Sequence, residues 1–364
     1  MDFGLSEDQV LLKDSIRKFL DSECPTERVR TIMESDDGHD AALWQGLAGM
    51  GVTAIPIAEE FGGAGLEILD LALAAEELGF ACTPGPFLGH ALGSIALQAS
   101  DDATARQEWL PRLADGSAIT TYALGEKIGV WDSTGLEVRC KGGELYGEKP
   151  LVPYAETADV LIVAALDGDT GEPELWLVAR DAENMTTRAL AGNDLSRRLS
   201  TVHFDGTPAR RIGGGTAAID RTRDAALVLL AADAYGGATR CLEMTRDYVL
   251  IREQFGQTIA HFQGIKHQLA DLATDLVPTC SLWWYAAHAI DHIPERAAHT
   301  AALAKARITD LFDETGRKGI ELHGGIGFTW EHDIHLWVRR SLFDRAFFGE
   351  ASYHRARAAD LRGW

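Results

Sequence analysis

The chain has 364 residues, 46% hydrophobic and 24% charged, a composition that marks a folded protein with a sizeable core and excludes intrinsic disorder. Its 34 Lys and Arg stand against 55 Asp and Glu, a net charge of −21, and a field of that sign argues against nucleic acid and anionic membrane surfaces as partners. An anionic ligand would need a local basic site, so single arginines become informative.

The opening MDFGLSEDQVLLKDSIRKFL lacks a basic segment followed by an apolar run, so no secretory signal is expected. No uninterrupted apolar run approaches the roughly 20 residues of a membrane span. Five scattered cysteines, Cys24, Cys82, Cys140, Cys241 and Cys280, fit reduced thiols in a cytoplasm better than a disulfide framework or a zinc site. Ser6 is the expected N-cap of a first helix, with Gln9 at the third position after it and Val10, Leu11, Ile16, Phe19 and Leu20 on one face. Further helical runs, ALWQGLAGMGV, ILDLALAAEELGF, ALGSIALQA and RQEWLPRLADG, predict a helical domain over residues 1–117.

Between 118 and 214 the period changes. LEVRCK and ELYGEK alternate about a Gly-Gly pair as a hairpin does, and VLIVAAL, ELWLVAR and TVHFDG follow as short strands. From 215 to 364 helical periodicity returns in long runs, Ala217 to Arg252, Gln263 to Ile290, Arg296 to His323 and a last pair after Asp333, which predict a bundle suited to an oligomer interface. The fold class is therefore α+β, in the order helical domain, β domain, helical bundle.

Two clusters stand out. In YVLIREQFGQTIAHFQGIKHQLADL, Arg252 closes one helix and Gln263 opens the next, with Phe255 and Gly256 in the corner between. A cationic fork, a flat ring and an amide are the groups that hold a pyrophosphate and pin a heterocycle. Taken alone, an arginine satisfying helix C-terminal carbonyls is the commoner arrangement. In ELHGGIGFTWEHDIHLWVRR, Gly324 and Gly325 end a helix, where bare backbone lets a ligand approach. His332 and His335 resemble a metal pair but lack further ligands, and Lys266, Arg339 and Arg340 are expected to be surface charges.

Together with LSEDQVLLKDSIRKFL and IPIAEEFGGAGLEILDLALAAEELG, these motifs closely resemble the acyl-CoA dehydrogenase family across essentially the whole chain. The resemblance implies a three-domain flavoprotein enzyme that desaturates an acyl-CoA thioester to a trans-2-enoyl-CoA and hands its electrons on, electron-transfer flavoprotein being the expected acceptor. It further implies that FAD lies with its isoalloxazine on the β domain and its adenosine diphosphate tail on a neighbouring subunit. By position, the residues lent to that neighbour are Arg252, Phe255, Phe262, Gln263, Glu321, Gly324 and Gly325. Glu321 departs from the family's usual glutamine, and an ionised carboxylate only accepts hydrogen bonds.

The family's base is a glutamate about two dozen residues after the Gly-Gly turn. Counting without gaps puts Phe348 there, followed by Gly349, with Glu350 where a flavin-contacting threonine is usual. A shift of two helical residues turns a side chain by about 200°, so Glu350 does not simply inherit the role. In a smaller branch the base lies on the helix before the arginine corner, at the position of Ala226; Asp224 lies nearby, and Asp233, in LVLLAADAYGGA, is a candidate as a buried acid or else a packing residue with a satisfied carboxylate. The flavin-facing Thr-Glu-Pro run is replaced by TYALGEKIGVWDS, and GEKPLVPYAETADVLIVAA lacks the usual Trp-Thr pair. Retention of the lent half with erosion of the chain's own half points to a partner subunit in an α2β2 enzyme with a paralogue, similar to those of bacterial sterol degradation with bulky substrates. The alternatives are a self-sufficient homo-oligomer using Glu350 or Asp233, and a flavin-free binding or scaffold protein of the same fold.

Overall fold

The computed structural model describes residues 4–126 and 130–364. Six helices come first: α1 (Glu7–Glu23), α2 (Thr26–Glu34), α3 (Ala41–Gly49), α4 (Ile68–Phe80), α5 (Phe87–Gln98) and α6 (Ala103–Ala114). Ser6 caps α1 as its sequence requires, its hydroxyl accepting from Gln9 N while the Gln9 side chain accepts from Ser6 N.

Eight strands follow: β1 (Thr120–Ala123), β2 (Arg139–Lys141), β3 (Glu144–Pro153), β4 (Val160–Asp167), β5 (Pro173–Ala179), β6 (Met185–Ala189), β7 (Leu199–Pro208) and β8 (Arg210–Gly213). They form one sheet in the order β6-β7-β3-β2-β4-β5-β8, with β1 lying parallel to β4. The expected β2–β3 hairpin is present, and both of its turn glycines, Gly142 and Gly143, adopt the positive φ of a two-residue turn. Inward residues such as Val138, Leu145, Val163, Val202 and Phe204 make the core beneath the sheet.

The C-terminal helices are α7 (Gly215–Ile251), α8 (Gln263–Leu276), α9 (Cys280–His292), α10 (Pro294–His323), α11 (Ile334–Ala346) and α12 (Ala351–Asp360); a two-residue ribbon, β9 (Glu253–Gln254) with β10 (Gln257–Thr258), joins α7 to α8. The single helix expected from Gln263 to Ile290 is broken at Leu276 by a 3₁₀ turn containing Pro278. Pro cannot donate the helical hydrogen bond, which accounts for the break. The central stretch of α7 is long and apolar enough to cross a membrane by length and composition, but 78% of it is buried within the protein, as in a core helix.

Two compact units emerge. One contains Met1–Val29, Ala72–Thr83 and Leu227–Trp364, and so holds α1, most of α4 and α7, and α8 to α12. Here α4 and α7 meet backbone to backbone: a Cβ on Gly79 would lie 2.1 Å from the Asp233 carbonyl oxygen, and one on Gly236 would lie 1.9 Å from that of Glu76. The other contains Arg30–Leu71 and Pro84–Ala226, with the whole sheet packed beside α5.

Candidate nucleotide site and the base candidates

The first unit builds its candidate site at the C-terminal ends of α7 and α10. At the end of α7, Arg252 N donates to Tyr248 O, and Ile259 N donates to Arg252 O across the β9–β10 ribbon. The backbone thus satisfies the helix end, and the exposed Arg252 side chain makes no ion pair or hydrogen bond among the described residues. The ribbon turns on Phe255 (φ 57°) and Gly256 (φ 78°). A phenylalanine in the left-handed region costs about 1 kcal/mol or more, and such strain concentrates at functional sites. Its ring is 93% exposed and stands edge-on to Phe262, with centroids 6.0 Å apart. Gln263, exposed, begins α8 directly after Phe262.

At the end of α10, Gly324 takes φ 65° and its N–H returns to Glu321 O. A Cβ added to Gly324 or Gly325 would meet open space, whereas one on Gly327 would lie 2.7 Å from the Ile320 carbonyl oxygen. The two glycines are therefore bare toward the outside, where a ligand can come up to the backbone.

Packing joins the ribbon to the glycine turn through residues that sequence reasoning did not single out. His323, just before Gly324, is buried; its Nδ1 lies 2.7 Å from Gly319 O, a carbonyl that can only accept, so Nδ1 carries the proton. The imidazole lies against the Tyr248 ring at 4.5 Å and the His332 ring at 4.3 Å. Burial, with His332 beside it, pulls its pKa below the usual histidine value and keeps the ring neutral. Lys318 Nζ makes the second tie, donating to Glu321 Oε2 at 2.9 Å and to Gln268 Oε1 of α8 at 3.2 Å.

The base candidates fare differently. Glu350 is exposed at the N-cap position of α12, where its carboxylate makes no capping bond. Phe348, where counting without gaps expects the family's glutamate, is buried with φ 59°, and Gly349 follows with φ 102°. Asp233 is buried in a pair with Arg340, whose Nη1 lies 3.0 and 3.2 Å from the two carboxylate oxygens. Arg340, expected on the surface, is completely enclosed. Asp224 is buried against Arg223 at 3.0 Å.

The bend at 345–349 is held from below by Lys305 of α10, which is fully buried and donates to the carbonyls of Arg345 (3.2 Å) and Gly349 (3.0 Å). Burial pulls its pKa down to about 7, against the pull of Asp344, Asp310 and Glu350 and with a smaller push from Arg345. A neutral amine still supplies two N–H donors, enough for both carbonyls. The unfolded chain keeps this proton up to its ordinary pKa near 10.5. Between pH 7 and about 10 it therefore binds more protons than the folded chain, and this group's contribution makes stability rise with pH. Lys305→Met should flatten that rise relative to the native protein, read as the difference in urea midpoint between pH 7 and 9.5; parallel curves would show that Lys305 does not titrate in this way.

In the second unit, the stretch matching the flavin-facing run is turned inward. The hydroxyl of Thr121, which opens the stretch, donates to Pro153 O, and that of Thr120 just before it donates to Val160 O; both residues are wholly buried, as is Tyr122. Glu126 pairs with the buried Lys149 and accepts from Val138 N. Lys149 also donates to Leu124 O, and burial pulls its pKa down to about 8. Residues 127–129 of TYALGEKIGVWDS lie outside the described residues.

Comparison with known proteins extends these local observations to the whole chain. The family model for the acyl-CoA dehydrogenase N-terminal domain matches residues 6–117, and the model for the C-terminal domain matches residues 213–360. Acyl-CoA dehydrogenase IpdE2 of Mycolicibacterium smegmatis is 33% identical over 340 residues, 93% of each chain. IpdE2 of Mycobacterium tuberculosis is 32% identical over 92% of this chain and 91% of its own. Among solved structures, the Tcur3481-Tcur3483 steroid ACAD superposes with a TM-score of 0.90 at 30% identity over 98% of each chain. The ChsE4-ChsE5 complex from Mycobacterium tuberculosis shares the fold, with a TM-score of 0.90 at 24% identity over 100% of this chain and 99% of that one.

Proposed function

The chain belongs to the acyl-CoA dehydrogenase family, and from that premise we propose that it is the nucleotide-lending subunit of a hetero-oligomeric, FAD-dependent enzyme that desaturates a bulky acyl-CoA to its trans-2-enoyl thioester. One contrast carries this reading. The groups suited to a pyrophosphate and its nucleotide face outward, at Arg252, Phe255 and the Gly324–Gly325 turn, whereas the position of the base holds a buried phenylalanine, Phe348.

The residues at the ends of α7 and α10 fit the adenosine diphosphate portion of FAD. Arg252 would bind the phosphates through its planar fork, Phe255 and Phe262 would offer apolar surface, Gln263 would give and accept hydrogen bonds, and the glycine turn would admit the ligand to the backbone. FAD, when bound, supplies the acceptor for the hydride leaving the thioester's β carbon. The α proton calls for a carboxylate that desolvation has made basic. Asp233, engaged by Arg340, and Glu350, exposed to water, are poorly placed for that task, so the paralogous subunit provides the base. The ChsE4-ChsE5 complex pairs two differently named chains and Tcur3481-Tcur3483 is a steroid ACAD, and both support a two-subunit enzyme with a bulky substrate. Among the described residues the five cysteines form no disulfide, and four of them are buried, which supports a reducing cytoplasm. An electron-transfer flavoprotein would reoxidise the complex.

The test is a flavin count. Purified alone, the chain should retain little flavin, and co-expressed with the paralogue with which it co-purifies it should carry fewer flavins than subunits. A full complement in the chain alone, with dye reduction by an acyl-CoA, would overturn the proposal in favour of a self-sufficient enzyme. Absence of flavin from both preparations would favour a scaffold.

A further inference from the structure

The last turn of α10 carries an ion pair that helix energetics does not explain. Glu321 lies two residues before the end of a 30-residue helix, at the negative end of its dipole, where a carboxylate is disfavoured. Lys318 precedes it by three residues, the reverse of the Glu-then-Lys order that favours a helix. Both side chains are well exposed, a setting in which an ion pair adds little stability. A pair set against both local rules points to a role outside the helix. Its surroundings point toward the glycine turn: Glu321 O accepts from Gly324 N, and Lys318 reaches Gln268 of the helix that Gln263 opens.

Resting on the nucleotide-lending reading above, we propose that Lys318 is a further cofactor-binding residue, whose task is to balance the charge of Glu321 where the family's usual glutamine needs no balancing. A glutamine both gives and accepts hydrogen bonds and is neutral. Glu321 retains the accepting function, for a ribose hydroxyl or an exocyclic amine, but brings a negative charge toward two phosphates in a chain already at −21. Lys318, 2.9 Å away, cancels that charge and restores a donor. The pair together does what one amide does elsewhere. The neighbouring cations do not replace it, because Arg317 is held by Asp313 at 2.8 Å and Arg345 by Asp310 at 3.0 Å.

A double-mutant cycle on the co-purified two-subunit complex tests this, with FAD titrated into the flavin-stripped protein and its Kd as the readout. Lys318→Met should weaken FAD about tenfold by leaving Glu321 unbalanced. Glu321→Gln should bind at least as well as the native complex. The double variant Lys318→Met/Glu321→Gln should return to within about threefold of native, because no charge remains to balance. Because Glu321 is exposed and Lys318 is only half-buried, thermal unfolding should shift by no more than about 2 °C, so a loss of affinity would not reflect misfolding. An unchanged Kd in Lys318→Met would show a surface ion pair and overturn the inference; so would a double variant as weak as Lys318→Met alone. A native complex that takes up no FAD would instead sink the nucleotide-lending reading, and this inference with it.

Discussion

Replacing Arg340 with methionine is expected to cost about 3–5 kcal/mol of folding stability, the usual result of removing one partner from an enclosed ion pair. Arg340 is fully buried on α11; its guanidinium reaches both oxygens of Asp233 on α7 and, through Nη2, the carbonyl of Thr83 at 2.9 Å, just after α4. Three segments of the first unit thus share one side chain. Methionine fills much of the volume but takes away the cation that faces the buried Asp233 carboxylate. The cost to that carboxylate, more than any lost attraction, sets the size of the effect. The double variant Asp233→Leu/Arg340→Met should therefore recover most of the loss, since an apolar pair of similar size needs no partner. Urea midpoints at an unchanged denaturant slope would measure both. A double variant as unstable as Arg340→Met would mean that the arginine acts mainly through Thr83 or through packing.

This pair also shows where sequence reasoning stops. Asp233 in an apolar run is visible as an acid that must be either activated or satisfied, but its partner lies 107 residues away. Arg340, in a run ending VRR, carries no local sign of burial. Lys149 and Lys305 are hidden for the same reason, because a lysine looks like surface until the fold encloses it. Local chemistry was legible: the Ser6–Gln9 capping box, the Gly142–Gly143 hairpin and the tight turn at Phe255–Gly256 follow from side chains that act within a few residues. Strands without alternation were not. β6, MTTRA, is an edge strand with no fully buried residue and no alternation of apolar with polar side chains, and β1, TTYA, is buried throughout, so neither sequence shows the period-2 signature. In the candidate site, the arginine, the rings and the glycines could be read as types, whereas the contacts linking them, Tyr248 with His323 and Lys318 with Gln268, required three dimensions.

The largest functional effect is expected at Arg252. Changing it to alanine in the two-subunit complex should weaken FAD binding by about 2–3 kcal/mol, or roughly 30- to 150-fold, the range for losing charge-assisted hydrogen bonds to a phosphate. The native side chain is exposed and spends none of its donors on the described residues, so its removal leaves the α7 end, already satisfied through Tyr248 O, unchanged. Stability should stay within about 0.5 kcal/mol of native, which separates this variant from Arg340→Met. Arg252→Lys should fall between the two, because an ammonium keeps the charge but cannot offer two parallel donors to neighbouring oxygens. Salt gives a second check: the native complex should lose FAD affinity as ionic strength rises, and Arg252→Ala should lose less, since a contact already missing cannot be screened. In a chain carrying −21, the local cation must offset a field that repels the ligand before it contributes binding of its own. Equal affinity in Arg252→Ala and native complexes would place the phosphates elsewhere and remove the reason for reading this end of the bundle as a nucleotide site.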